Sequence, residues 1–88
     1  MNIEFDPAKS NANVRKHGVD LADVEGVFYD TDAITIEDSD HDEQRFVTLG
    51  MDCLGRLLVV CYTYQGETTI RVVSARKAEP REHKTYEG

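Results

Sequence analysis

Apolar positions change their period along the chain, and the change separates a helical front from a strand-rich middle. In residues 7–17 they are sparse, with only Ala8, Ala12 and Val14 interrupting a polar run. The punctuation nevertheless specifies a helix. Asp6 can accept the free amides of a first turn, and Pro7 has no amide to leave unpaired. Gly18 is a natural C-cap behind Arg15, Lys16 and His17, whose cations face the negative end of the helix dipole. So apolar-poor a helix is either solvated and loosely attached or one wall of a site. A second helix is expected from Asp20, with Val19 and Val24 as a hydrophobic staple. Leu21, Val24, Val27 and Phe28 form its buried face, and residues 30–32 end it. Two antiparallel helices joined at Gly18 follow.

From residue 33 the pattern alternates. Residues 33–37, 45–51, 57–64 and 69–75 read as four strands. Residues 2–5 can form a further short strand. A turn over residues 52–55 would set Met51 opposite Arg56 and Cys61 opposite Phe46. A tight turn at Gln65-Gly66 would pair Tyr62 with Thr69 and Val60 with Arg71. Residues 57–61 are apolar throughout, as in a central strand covered on both faces. A break at Glu79-Pro80 leads into a short terminal helix. The expected fold is α+β: two N-terminal helices, an antiparallel four-stranded meander and a short C-terminal helix, in one domain over residues 1–88.

Composition narrows the class. Eighty-eight residues, 40% hydrophobic and 31% charged, suit one small globular domain with one modest core. No apolar run approaches the roughly 20 residues of a membrane span, and the N-terminus has no signal-peptide core, so the cytoplasm is the expected location. Cys53 and Cys61 fall too far apart in the expected hairpin for a disulfide, and free thiols suit a reducing compartment. The net charge of −7 argues at first sight against a nucleic-acid partner. Its distribution changes that picture. Residues 20–43 carry −10 without a single Lys or Arg, and the remainder of the chain is net +3. An acidic face could dock a basic partner or simply keep the protein soluble.

Candidate chemistry concentrates at the end, where TIRVVSARKAEPREHKTY holds five of the ten Lys and Arg residues. A basic strand followed by a basic helix can seat a phosphate. Arg71 and Arg76 point to opposite faces of a regular strand, and share one only if the strand bulges or ends between them. Otherwise Arg71 is a cross-strand ion pair, Arg76 a link from sheet to helix, and Tyr86 a packing residue. The run from Asp38 to Glu43 begins like a calcium loop but lacks the glycine and the terminal glutamate, so it reads as an acidic hairpin loop. No phosphate-binding Gly-rich loop, nucleophile elbow or metal-spaced histidine pair is present. RNA cleavage needs none of these. The 2′-hydroxyl is the nucleophile, so the protein must only position it, stabilise the phosphorane and move protons.

Four stretches carry a family resemblance: FDPAKSNANVRKHGV, the acidic loop followed by QRFVTLG, GRLLVVCYTY, and IRVVSARKAEPREHKTYE. In order and over nearly the whole chain they resemble BrnT toxins of bacterial type II toxin–antitoxin systems. The resemblance implies a RelE-like ribonuclease fold and metal-independent endoribonuclease activity that inhibits translation, with no cofactor. It also implies neutralisation by a BrnA-like ribbon-helix-helix antitoxin in a two-plus-two heterotetramer, which meets operator DNA only through the antitoxin. On the matching positions Arg71 and Arg76 would contact phosphate and stabilise charge. Lys16 and His17 would move protons or orient substrate, and Arg45, Arg81 and Tyr86 would bind it. A reading of another class is a non-catalytic module whose acidic face grips the antitoxin and serves only in repression.

Overall fold

The computed structural model describes residues 1–39 and 43–88; the tip of the acidic loop expected after Asp38 lies outside them. Helix α1, Pro7–His17, begins and ends as its punctuation requires. Asp6 accepts the Ala8 N–H at 2.8 Å, and Gly18 closes the helix in the left-handed region at φ 71°. What holds α1 to the body is polar. Asn13, 7% exposed, donates from Nδ2 to the Val19 and Ala75 carbonyls, at 2.7 and 2.8 Å, and accepts the Ala75 N–H. Ser10 donates to Asp20 and accepts the Leu21 N–H.

The second helix is replaced by two short 3-10 segments, Leu21–Asp23 and Glu25–Tyr29. Asp20 caps the first, as expected. The fully buried residues are Leu21, Val24 and Val27, spaced by three, which is the 3-10 repeat and not the α repeat. Gly26 permits the tight approach, since a Cβ there would lie 2.7 Å from the Cys53 amide nitrogen.

Among the described residues the sheet has five strands: β1 Asn2–Glu4, β2 Ile34–Asp38, β3 Arg45–Met51, β4 Leu57–Gln65 and β5 Thr69–Lys77. Their order is β1-β5-β4-β3-β2. The expected four-stranded antiparallel meander is thereby corrected. Strands β2 to β5 do run antiparallel, but β1 adds a fifth strand parallel to β5, so the sheet is mixed. The short strand expected at residues 2–5 is β1, but a three-residue segment with one apolar position, Ile3, gives too little pattern to reveal that its partner lies more than sixty residues away.

Both hairpin registers also differ from expectation. Met51 pairs with Leu57, because Asp52 builds a longer loop. Its carboxylate accepts the Leu54 and Arg56 N–H groups and Arg56 Nε. The β4–β5 turn spans three residues from Gly66, at φ 71°, so Gln65 pairs with Thr69. A bulge follows: Tyr62 pairs with Val72 and Cys61 with Ser74, which leaves Val73 as the extra residue.

One face of the sheet carries the core. Leu58, Val60, Tyr62, Ile70, Val72 and Ala75 pack there against Val19 and the 3-10 segments, with Phe28 and Phe46 at the margin. The opposite face is only half covered, by helix α2, Pro80–Glu87. Among the described residues no helix is long and apolar enough to cross a membrane.

Candidate phosphate-binding face

The bulge at Val73 decides where the arginines point. In a regular strand five positions turn Arg71 and Arg76 to opposite faces. With one residue added between them they share the face opposite the core, Arg71 beside Thr63 and Arg76 beside Val59. The same face is then legible from strand to strand. Arg71 adjoins Glu4 on β1, and Asp38 adjoins Arg45 on β2 and β3. The β3–β4 register, carried one residue beyond the Phe46–Tyr62 pair, sets Arg45 beside Thr63. One transverse row therefore crosses the open part of the sheet: Asp38, Arg45, Thr63, Arg71, Glu4.

Arg45 and Arg71 stand one strand apart from each other on either side of Thr63, roughly 10 Å at Cα. At that spacing two arginine side chains can lean onto one phosphate group. Arg71 Nη1 donates to Glu4 Oε1 at 3.0 Å, with both side chains nearly half exposed. Arg45 Nε lies 3.7 Å from the Glu43 carboxylate. It is buried and has no hydrogen-bond partner among the described residues. Thr63 is buried between the arginines, and its hydroxyl accepts from Gln65 Nε2 at 3.5 Å. In the next row Cys61 and Ser74 are half-buried. Burial pushes the Cys61 thiol up, so it stays protonated and is no nucleophile near neutral pH.

Arg76 lies under α2. Its guanidinium grips Glu82 with two nitrogens at 2.8 and 2.9 Å, and Nη1 also reaches the Lys77 carbonyl. The Arg76 hydrogen bond, with the Glu79 N–H behind it, holds the Glu82 carboxyl down at about 2. Tyr86 anchors the other end of α2 by donating to Asp30 Oδ2 at 2.6 Å. That oxygen also accepts the Met51 N–H. The Asp30 bond pushes the Tyr86 hydroxyl up to about 12, while the Met51 N–H chiefly holds Asp30 below the usual carboxylate range. Arg81 projects from α2 into solvent, 85% exposed and 3.5 Å from Glu79.

The seven candidate residues thus do not form one constellation. Arg45 and Arg71 share an open row, while Arg76 and Tyr86 fasten α2 to the body. Lys16 and His17 form the last turn of α1, Lys16 exposed and His17 half-buried, and neither belongs to the arginine row. Sequence reasoning missed Thr63, Glu4 and Asp38, whose places follow only from the true registers. Among the described residues no group of three or more His, Cys, Asp or Glu is arranged to hold a metal.

Residues 5–82 match the family model described as "Ribonuclease toxin, BrnT, of type II toxin-antitoxin system". Among solved structures the chain is similar to the crystal structure of the Brucella abortus ribonuclease toxin BrnT, with a TM-score of 0.73 and 26% sequence identity. The similarity covers 90% of this chain and 97% of that one. No curated protein matches the chain.

Proposed function

The chain belongs to the BrnT family of ribonuclease toxins of type II toxin–antitoxin systems, and from that premise we propose that it cleaves RNA at the Arg45–Thr63–Arg71 row without a metal. The observation that carries this reading is two partly exposed arginines on either side of the buried Thr63, on the sheet face opposite the core. A phosphodiester seated between them has its charge neutralised from both sides. The adjacent 2′-hydroxyl then attacks phosphorus and gives up its proton to water, the bond to the 5′-oxygen breaks and that oxygen takes a proton from water, leaving a 2′,3′-cyclic phosphate and a free 5′-hydroxyl. Arginines that donate to the non-bridging oxygens stabilise the added charge of the phosphorane.

The ion pairs already present do not block the seat. An exposed pair such as Arg71–Glu4 is worth about 0–1 kcal/mol, so an incoming phosphate displaces Glu4 at little cost. Arg76 is different. Its two-pronged bond to Glu82 makes it a positioning residue that keeps α2 on the sheet. Cleavage of cellular RNA arrests translation, and a BrnA-type antitoxin neutralises the enzyme.

A second reading draws on one observation: Arg45, Arg71, Arg76 and Arg81 each have a carboxylate within 4 Å, in a chain of net charge −7. On that reading the chain is a non-catalytic antitoxin partner. Induced expression of the parent and of Arg71→Ala, with growth and total RNA followed, separates the two. Growth arrest with RNA decay from the parent, lost in an equally soluble Arg71→Ala, is the expected result. A folded, abundant parent that neither arrests growth nor degrades RNA overturns the nuclease reading.

A further inference from the structure

Strand β2 is a border of the sheet, with β3 on one side and no strand on the other among the described residues. Along such a border alternate residues turn their N–H and C=O groups outward, ready to pair with another strand. Border strands are commonly blunted by lysine, proline or a bulge. β2, with the sequence ITIED, has no lysine or proline and pairs with β3 in unbroken register.

Its apolar side chains are also uncovered. Ile36 is 62% exposed and Ile34 37%. Both lie on the face opposite the core, where they join Val47, Leu49 and Val59 in an apolar groove of about 210 Å³ beside Glu82 and Thr85 of α2. The other side of β2 presents Thr35 and Glu37, both exposed. The acidic groups that the structure places at this border are Glu37 on the strand and Asp38 at its end, the latter beside Arg45, and Glu82 at the groove, held by Arg76.

We propose that the free border of β2 receives an extended segment of the antitoxin as an added strand, its apolar side chains filling the Ile34–Ile36 groove and its alternate lysines or arginines facing Glu37. Period-two alternation of the incoming strand matches the two sides of β2, apolar on one and acidic on the other. The inference rests on membership in a toxin–antitoxin family and not on the nuclease chemistry.

The test is amide hydrogen exchange on the full chain, free and in complex with the antitoxin encoded beside it, with affinities for Ile36→Lys and Ile36→Thr. The complex is expected to slow exchange at β2 at least tenfold. Ile36→Lys, which adds the charge of a blunted border and repels a basic segment, is expected to weaken binding at least tenfold. Ile36→Thr keeps the strand preference and weakens it less, and serves if the lysine variant does not fold. RNA cleavage by either free variant stays at the parent level. Unchanged β2 exchange in the complex, parental affinity in both variants, or β2 protection that grows with the concentration of the free chain overturns the inference. Loss of cleavage in the parent with β2 still protected would instead count against the nuclease reading alone.

Discussion

At the scale of single residues, buried polar contacts do as much as apolar burial. Asn13 supplies both hydrogen-bonding ends that the Ala75 backbone needs on its side away from β4. Asn13→Ala leaves that N–H and carbonyl unpaired inside the protein, and urea unfolding is expected to show a loss of about 2–4 kcal/mol, more than one ordinary hydrogen bond. Gly26 makes a similar contrast with Gly18. A methyl group at Gly26 collides with the Cys53 backbone, so Gly26→Ala should cost about 1–3 kcal/mol. At Gly18 nothing stands within 4 Å, and only the left-handed conformation resists alanine, at about 1 kcal/mol. The caps Asp6 and Gly18 were legible because their chemistry is local. Asn13 was not, because a polar residue on an apolar-poor helix looks solvated until its partner Ala75, some sixty positions away, is known.

At the scale of elements, spacing misled where two periods overlap. Leu21, Val24, Val27 and Phe28 satisfy a helical repeat, but the three that are fully buried step by three and form 3-10 turns. Four strands were recovered nearly to the residue, yet both hairpin registers slipped. A register depends on loop details such as the Asp52 carboxylate and the Val73 bulge, which hydrophobic alternation does not encode. The terminal helix shows the consequence for stability. α2 buries no residue fully and is held at its two ends by Arg76–Glu82 and Tyr86–Asp30. Glu82 titrates at about 2 in the folded chain, so its contribution is complete above the ordinary glutamate range and lost as pH falls toward 2. Tyr86 titrates at about 12, so its contribution is complete below about 10 and lost as pH rises through 12. Circular dichroism is expected to show α2 loosening at both extremes before the sheet melts. Tyr86→Phe should raise amide exchange in α2 while that of β4 stays unchanged.

At the scale of the whole molecule, the sheet separates two surfaces. One face builds the core, while the other carries the arginine row and, at its β2 border, an apolar groove. The sequence located the arginines and the acidic block but could not say which residues share a face. Arg71 moved from an expected partner, Val60, on the core side to Thr63 on the open side through the register alone. The salt dependence of nucleic-acid binding scales with the number of phosphates neutralised, and one phosphate seated between two arginines makes it shallow. Cleavage is expected to fall only about threefold between 50 and 200 mM salt.

The central claim, that the Arg45–Thr63–Arg71 row cleaves RNA through its own 2′-hydroxyl, is tested most directly with purified chain, end-labelled RNA and a metal chelator. Products ending in a 2′,3′-cyclic phosphate, with the rate reduced about 10²-fold or more by Arg71→Ala, are the predicted result. Cleavage that stops when the chelator is added, or that proceeds at the parental rate in folded Arg45→Ala/Arg71→Ala, would contradict it.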